Sequence, residues 1–165
     1  APMRLPLEGV RVLDLTVWQQ GPYATALLAD LGADVIKIEE TRAGDPGRGA
    51  WVATGVGLSS YFQAHNRGKR SLAVDLKQPA GRDAVLRLAK RADIFLNNLR
   101  PSVIKRLGLH YEEIAKVNPA IVYVQASGYG PNGPDADLGA FDFLAQARAG
   151  FVASNGEPDD RRYRR

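Results

Sequence analysis

A chain of 165 residues in which 45% of side chains are hydrophobic and 24% charged is long enough for one ordinary globular domain around a single core. It has no cysteine, which excludes a disulfide framework and a thiolate site, and no apolar run of about 18 residues, which excludes a membrane-spanning helix within it. Four of the 22 basic residues are Arg161, Arg162, Arg164 and Arg165; without them basic and acidic side chains balance at 18 each, so the net charge of +4 is a property of the tail. That tail offers phosphate contacts and hence a nucleic-acid partner, although a short solvated tail is the plainer reading. The opening six residues lack the apolar stretch of a signal peptide, and the protein is expected in the cytoplasm, off the membrane.

Val10, Val12, Leu13 and Leu15 form a nearly continuous apolar run, as a strand buried on both faces requires. Ala24, Leu27, Leu28 and Leu31 then recur at helical spacing, Gly32 supplies the stop, and Val35, Ile36 and Ile38 begin a second strand. Residues 10–40 are thus one βαβ unit. Its first turn, residues 16–22, lacks the three-glycine spacing with which a dinucleotide pyrophosphate approaches the backbone, which argues against an ordinary NAD site. Gly21-Pro22 at the helix entrance fits a ligand-facing turn or simply the preference for Pro at the first helical position.

Residues 41–60 are rich in Gly and charge and longer than most connections, so they are either mobile or held by a ligand or partner. A helical turn at residues 61–66 precedes a strand at 71–76 built on Leu72, Val74 and Leu76. A helix opens at Pro79 and runs to Lys90, with Ala84, Leu86, Leu88 and Ala89 as a partial apolar stripe. A buried strand at 92–96, a helix from Pro101 to Gly108 with Val103, Ile104 and Leu107, a short helix at 111–117 and a strand at 120–125 follow. Beyond a Gly- and Pro-rich loop a helix is expected over about 141–149. The order predicts an α/β fold, a Rossmann-like, doubly wound and mainly parallel sheet. Residues 1–150 form this domain, and residues 151–165 a polar, Arg-rich tail.

Lys69-Arg70 and Lys77 flank the third strand, while Asn97, Asn98 and Arg100 follow the fourth, with Arg106 on the next helix. At one edge of a parallel sheet such groups converge on a polyanion, Arg giving bidentate phosphate contacts; singly, each is also an ordinary surface charge. His65 and His110 have no paired spacing, so no metal site is expected. Ser127-Gly-Tyr-Gly lacks the glycine that precedes a nucleophilic serine at an elbow. Asp142 stands near a helix start, where the dipole stabilises a carboxylate and acids are commonplace.

Several segments taken in order resemble the class III CoA-transferase family, which includes formyl-CoA and carnitine-type transferases and shares its fold with α-methylacyl-CoA racemases. They are Leu7-Glu-Gly-Val-Arg-Val-Leu-Asp-Leu-Thr16, Gln20-Gly-Pro22, Leu31-Gly-Ala-Asp-Val-Ile-Lys-Ile-Glu39, Gly44-Asp45, Asn66 with Lys69-Arg-Ser71, and Asp75-Leu-Lys77. The series continues with Ala92-Asp93, Asn98-Leu-Arg-Pro101, Arg106-Leu-Gly108, Asn118-Pro119, Ser127-Gly-Tyr-Gly-Pro131, and Asp142 with Gln146-Ala147.

The resemblance implies a Rossmann-like domain continuing into a smaller one, in an interlocked homodimer, of which this chain is the N-terminal portion. It implies coenzyme A, as acyl-CoA, for the bound molecule, and CoA contacts at Trp18, Gln19, Val74, Lys77, Asn98, Leu99, Arg100 and Arg106. Glu40 departs from the pattern, since some relatives carry a phosphate-binding arginine there. The implied reaction moves CoA between an acyl-CoA and a small carboxylic acid through an aspartyl-CoA thioester. The nucleophilic aspartate is expected beyond Arg165, so that the 165 residues alone are inactive, with Asp142 in a supporting position. The racemase branch places a histidine where this chain has Phe141, which disfavours racemisation. A stand-alone CoA-binding module, or a partner subunit without activity of its own, is the alternative.

Overall fold

The computed structural model describes residues 4–53 and 56–155. Five strands alternate with helices: β1 (Arg11–Leu15), α1 (Gln20–Asp30), β2 (Asp34–Glu39), α2 (Ser60–Asn66), β3 (Arg70–Ala73), α3 (Pro79–Ala89) and β4 (Ile94–Asn97). Then come α4 (Pro101–Arg106), α5 (Tyr111–Val117), β5 (Val122–Gln125), α6 (Asp142–Arg148) and α7 (Phe151–Ser154). Every strand pair is parallel and the spatial order is β3-β2-β1-β4-β5. This is the doubly wound α/β sheet expected from the order of elements.

Side chains on adjacent strand residues face opposite ways, and the two faces differ in chemistry. Leu13 and Leu15 of β1, Ile36 and Ile38 of β2 and Phe95 of β4 pack with Val85, Ala89, Ile104 and Ile114 of α3, α4 and α5 in the main core. On the other face, Val12 and Val35 pack with Leu28 and Ala29 of α1 in a second, smaller cluster. Further along the same strands that face turns polar, carrying Asp14, Lys37 and Glu39, all buried.

Three strands differ from their expected bounds. β3 ends at Ala73 because Asp75 starts a turn, its carboxylate accepting from Lys77 N–H (2.9 Å) and its carbonyl from Gln78 N–H (3.1 Å). β5 begins only at Val122, since Asn118 folds residues 118–121 into a turn through Ala120 N–H (3.2 Å) and Ile121 N–H (3.3 Å). β4 starts at Ile94, after a turn in which Ala92 N–H donates to the Ala89 carbonyl (3.3 Å). The segment expected as a polar tail opens with α7, and residues 156–165, the Arg-rich stretch, lie outside the described residues. Among the described residues no helix is long and apolar enough to cross a membrane.

Candidate functional site

In this strand order the chain leaves β1 toward β2 on one side, while β4 lies on the other, so the crevice between the carboxyl ends of β1 and β4 is the topological switch point. Leu15 and Asn97 are register partners there, and the turns that follow them run side by side. Asn98 joins the two turns: its Oδ1 accepts from Val17 N–H (2.9 Å) and its Nδ2 donates to the Val17 carbonyl (2.8 Å). Gln125 Nε2 donates to the Leu99 carbonyl (2.6 Å), fixing the second turn from β5.

Beneath the first turn lies a buried polar network. Asp14 accepts from Thr16 N–H (3.0 Å), Thr25 Oγ1 (2.7 Å) and Lys69 Nζ (2.8 Å), as well as from the Thr16 hydroxyl. Lys69 also donates to the Pro22 carbonyl (2.8 Å) and Asn66 Oδ1 (2.9 Å). Lys37 donates to the Thr16 carbonyl (2.8 Å) and pairs with Asp45 Oδ2 at 2.9 Å. Burial alone pushes the Asp14 carboxyl up, but the charges of Lys37 and Lys69 and the bonds from Lys69 and Thr16 outweigh it and hold it below the ordinary aspartate range. Burial pulls the Lys69 ammonium down, against the opposing pull of Asp14.

The same network anchors residues 41–60, so the long loop is held by the chain's own side chains. Arg48 makes a two-point contact with Glu39 (2.8 and 2.7 Å), Ser71 Oγ donates to Glu39 (2.8 Å), and Asp45 N–H donates to Glu39 Oε1 (3.0 Å). Asp45 Oδ1 caps a 3-10 turn through Gly47 N–H (2.8 Å), and Ser59 Oγ donates to the Gly47 carbonyl (2.8 Å).

Gly21 acquires a specific reason here. A Cβ on it would lie 2.4 Å from Thr16 Cβ and Cγ2 and 2.6 Å from its Oγ1, and Thr16 is held by Asp14. Gly21→Ala is therefore expected to destabilise the fold by about 1–3 kcal/mol through overpacking, read as a lower urea midpoint with an unchanged slope.

The expected ligand residues separate into groups. Trp18, 39% exposed, and Gln19, the exposed residue before α1, sit at the switch point with Asn98, Leu99 and Arg100. Lys77 and Arg106 meet elsewhere: they line a cavity of about 180 Å³ between the β3–α3 turn and α4, together with Gln78 and Arg82. Arg82 was absent from the expected set, because on a helix surface it resembles any other solvated charge. Val74 is 9% exposed and belongs to the main core.

Lys69 and Arg70 do not join the cationic group. They stand at the start of β3 rather than at its end: Lys69 immediately precedes the strand and is buried on Asp14, and Arg70 opens it with a two-point contact to Asp34 at the start of β2 (2.9 and 2.7 Å). Asn97 is fully buried and donates to the Tyr123 hydroxyl (3.0 Å) rather than facing the crevice. Desolvation pushes that phenol up to about 12. Exposed Glu40 caps its own loop by accepting from Arg42 N–H (3.0 Å) and Gly44 N–H (3.1 Å). His65 packs tilted against Tyr61 (centroids 4.4 Å apart), and His110 precedes α5. Among the described residues no group of three or more His, Cys, Asp or Glu is placed to hold a metal ion.

Sequence reasoning also missed the segment that returns over the crevice. The Phe141 ring meets Trp18 edge-on at 6.4 Å, which brings the start of α6, and with it exposed Asp142, to the β1 turn. Asp142 accepts from Gln146 Nε2 (2.5 Å). Asp137 seats its carboxylate on Ser102 N–H (2.8 Å), and the Ser102 bonds, with Arg100 and Arg106 nearby, hold its carboxyl below the usual range.

Residues 7–165 match the family described as CoA-transferase family III. The chain belongs to that family. It is 42% identical over 161 residues to the succinate–glutarate CoA-transferase of Agrobacterium fabrum, covering 93% of this chain and 40% of that protein. It is also 42% identical over 156 residues to the acetyl-CoA:oxalate CoA-transferase of Acetobacter aceti, covering 93% of this chain and 39% of that one. The solved CAIB/BAIF family protein of Brucella suis superposes with a TM-score of 0.86 at 37% identity, covering 95% of this chain and 42% of that structure. This family III chain thus spans about two fifths of the length of the relatives it matches.

Proposed function

We propose that this chain forms the CoA-binding part of a CoA-transferase that exchanges CoA between an acyl-CoA and a small carboxylic acid. The observation that carries the reading is the convergence, at one switch point, of Trp18 and Gln19 after β1 with Asn98, Leu99 and Arg100 after β4; Lys77 and Arg106 line a separate cationic cavity between the β3–α3 turn and α4. CoA is a polyanion with an extended thiol arm. Arg100, Arg106 and Lys77 supply charge for its phosphates, and the crevice supplies a path for the arm toward α6. Since both side-chain atoms of Asn98 are taken by Val17, Asn98 contributes by holding the crevice open and through its backbone.

In the proposed reaction a carboxylate attacks the thioester carbonyl, the C–S bond breaks, and CoA leaves as thiolate. The thiolate then attacks the enzyme-side carbonyl of the resulting anhydride, giving aspartyl-CoA and releasing the donor acid; an acceptor carboxylate reverses both steps. The family resemblance puts that aspartate outside residues 1–165, with Asp142 in support. Phe141, packed on Trp18 where racemases carry a histidine, supports transfer over racemisation. The reading includes an interlocked dimer and a cytoplasmic location.

Calorimetry with CoA on the 165-residue chain tests the binding step. Saturable binding is expected, weakened about tenfold by Arg106→Gln, without steady CoA transfer from an acyl-CoA to a carboxylate. No binding at millimolar CoA overturns the assignment, and steady turnover overturns the placement of the nucleophile.

A further inference from the structure

Three consecutive residues at the end of β1 have their backbone polar groups taken by side chains from four places in the fold. Thr16 N–H donates to Asp14 (3.0 Å) and its carbonyl accepts from Lys37 (2.8 Å). Val17 exchanges both its groups with Asn98 (2.9 and 2.8 Å). Trp18 N–H donates to Asp45 Oδ1 (3.2 Å). A turn that in dinucleotide-binding folds offers its N–H groups to phosphate has here already committed them to protein.

Trp18 has φ +67°, the left-handed region that a residue with a Cβ rarely adopts, and such conformations persist where the surroundings over-determine them. The Asp45 carboxylate is the side chain that binds its N–H. Asp45 is 1% exposed, its Oδ1 shared between Trp18 and Gly47 N–H and its Oδ2 held by buried Lys37 at 2.9 Å. Lys37 also grips the residue two before Trp18, so one ammonium fixes both the turn and the carboxylate that bends it.

We propose that Asp45 is a positioning residue: it holds Trp18 in its left-handed conformation and so sets where the indole stands against Phe141 at the mouth of the crevice. The consequence for ligand affinity rests on the reading of Trp18 as a CoA contact; the conformational role does not.

The chain has two tryptophans, and Trp51→Phe leaves Trp18 as the single emitter. In that background two double variants are compared, Lys37→Met/Asp45→Asn and Lys37→Met/Asp45→Ala. Both remove the buried ion pair and the bond to Thr16, and only the second removes the acceptor for Trp18 N–H. The asparagine pair is expected to keep the Trp18 emission maximum and acrylamide quenching of the parent. The alanine pair shifts the emission, raises quenching and binds CoA about tenfold more weakly. Identical emission and quenching in the two pairs overturns the proposal. In the unmutated chain the Trp18 amide is expected to exchange hydrogen at least about tenfold more slowly than an exposed amide, and free exchange overturns it equally. If the parent fails to bind CoA, the functional reading falls while emission and exchange still decide the role of Asp45.

Discussion

Replacing Lys69 with methionine is expected to destabilise the fold by roughly 3–5 kcal/mol, because it leaves the fully buried Asp14 carboxylate without the ammonium 2.8 Å away. The loss extends beyond the pair. Lys69 also donates to the Pro22 carbonyl and to Asn66, so its removal strips a donor from the first turn of α1 and from the end of α2 at once. The ion pair itself is a poor source of net stability, since taking two charges out of water costs about what their attraction returns. A double variant, Lys69→Met with Asp14→Leu, is therefore expected to recover part of the loss, although Thr16 N–H then loses its acceptor and Thr25 Oγ1 keeps only the Gly21 and Pro22 carbonyls. Urea midpoints for the single and double variants check this. A Lys69→Met protein within about 1 kcal/mol of wild type would show that water reaches Asp14.

That pair also marks where the sequence is legible and where it is not. Apolar periodicity located every strand and the parallel order followed from strand–helix alternation, because burial on both faces imposes an unmistakable pattern on β1, β2 and β4. Periodicity does not name partners. Lys69 and Asp14 are 55 positions apart, and Lys69 looked like a ligand cation because it neighbours a strand; only the direction of β3 shows that it stands at the wrong end. A local signal was available for the buried charges. Asp14 in Val-Leu-Asp-Leu and Lys37 in Val-Ile-Lys-Ile each sit inside an apolar strand run, the first of them read as buried on both faces, and a charge in such a run has to be paired.

The proposed ligand crevice was half legible for a similar reason. Composition after the fourth strand pointed to Asn98 and Arg100, the family resemblance added Trp18 and Leu99, and the topology places the two turns side by side. What no pattern announced is the division of labour: Asn98 clamps a turn instead of facing solvent, and Trp18 takes a backbone conformation that glycine ordinarily marks. The 41–60 loop read as mobile or ligand-held because its anchors, Lys37, Glu39 and Ser71, belong to strands.

Acid is expected to remove roughly 3 kcal/mol of stability through Glu39 alone. Burial raises this carboxyl, but the Arg48 guanidinium, Ser71 hydroxyl and Asp45 N–H more than offset it and bring it from an ordinary 4.5 down to about 2. The folded state thus binds the ionised form preferentially. Its contribution is complete above pH 4.5 and is lost as the pH falls from there toward 2. Arg48 is 43% exposed on its side chain while Glu39 is 4% exposed, so added salt weakens the pair and the full value applies at low ionic strength. The Asp14 carboxyl is also held below its ordinary range and acts in the same direction, so the Glu39 part must be read as a difference between two proteins. Glu39→Gln is expected to be less stable than wild type at pH 7, with the gap narrowing steadily below pH 4.5. Urea midpoints at a series of pH values measure that gap. A constant gap would mean that Glu39 acts by its shape and hydrogen bonds, and that its charge contributes nothing to holding the 41–60 loop on the sheet.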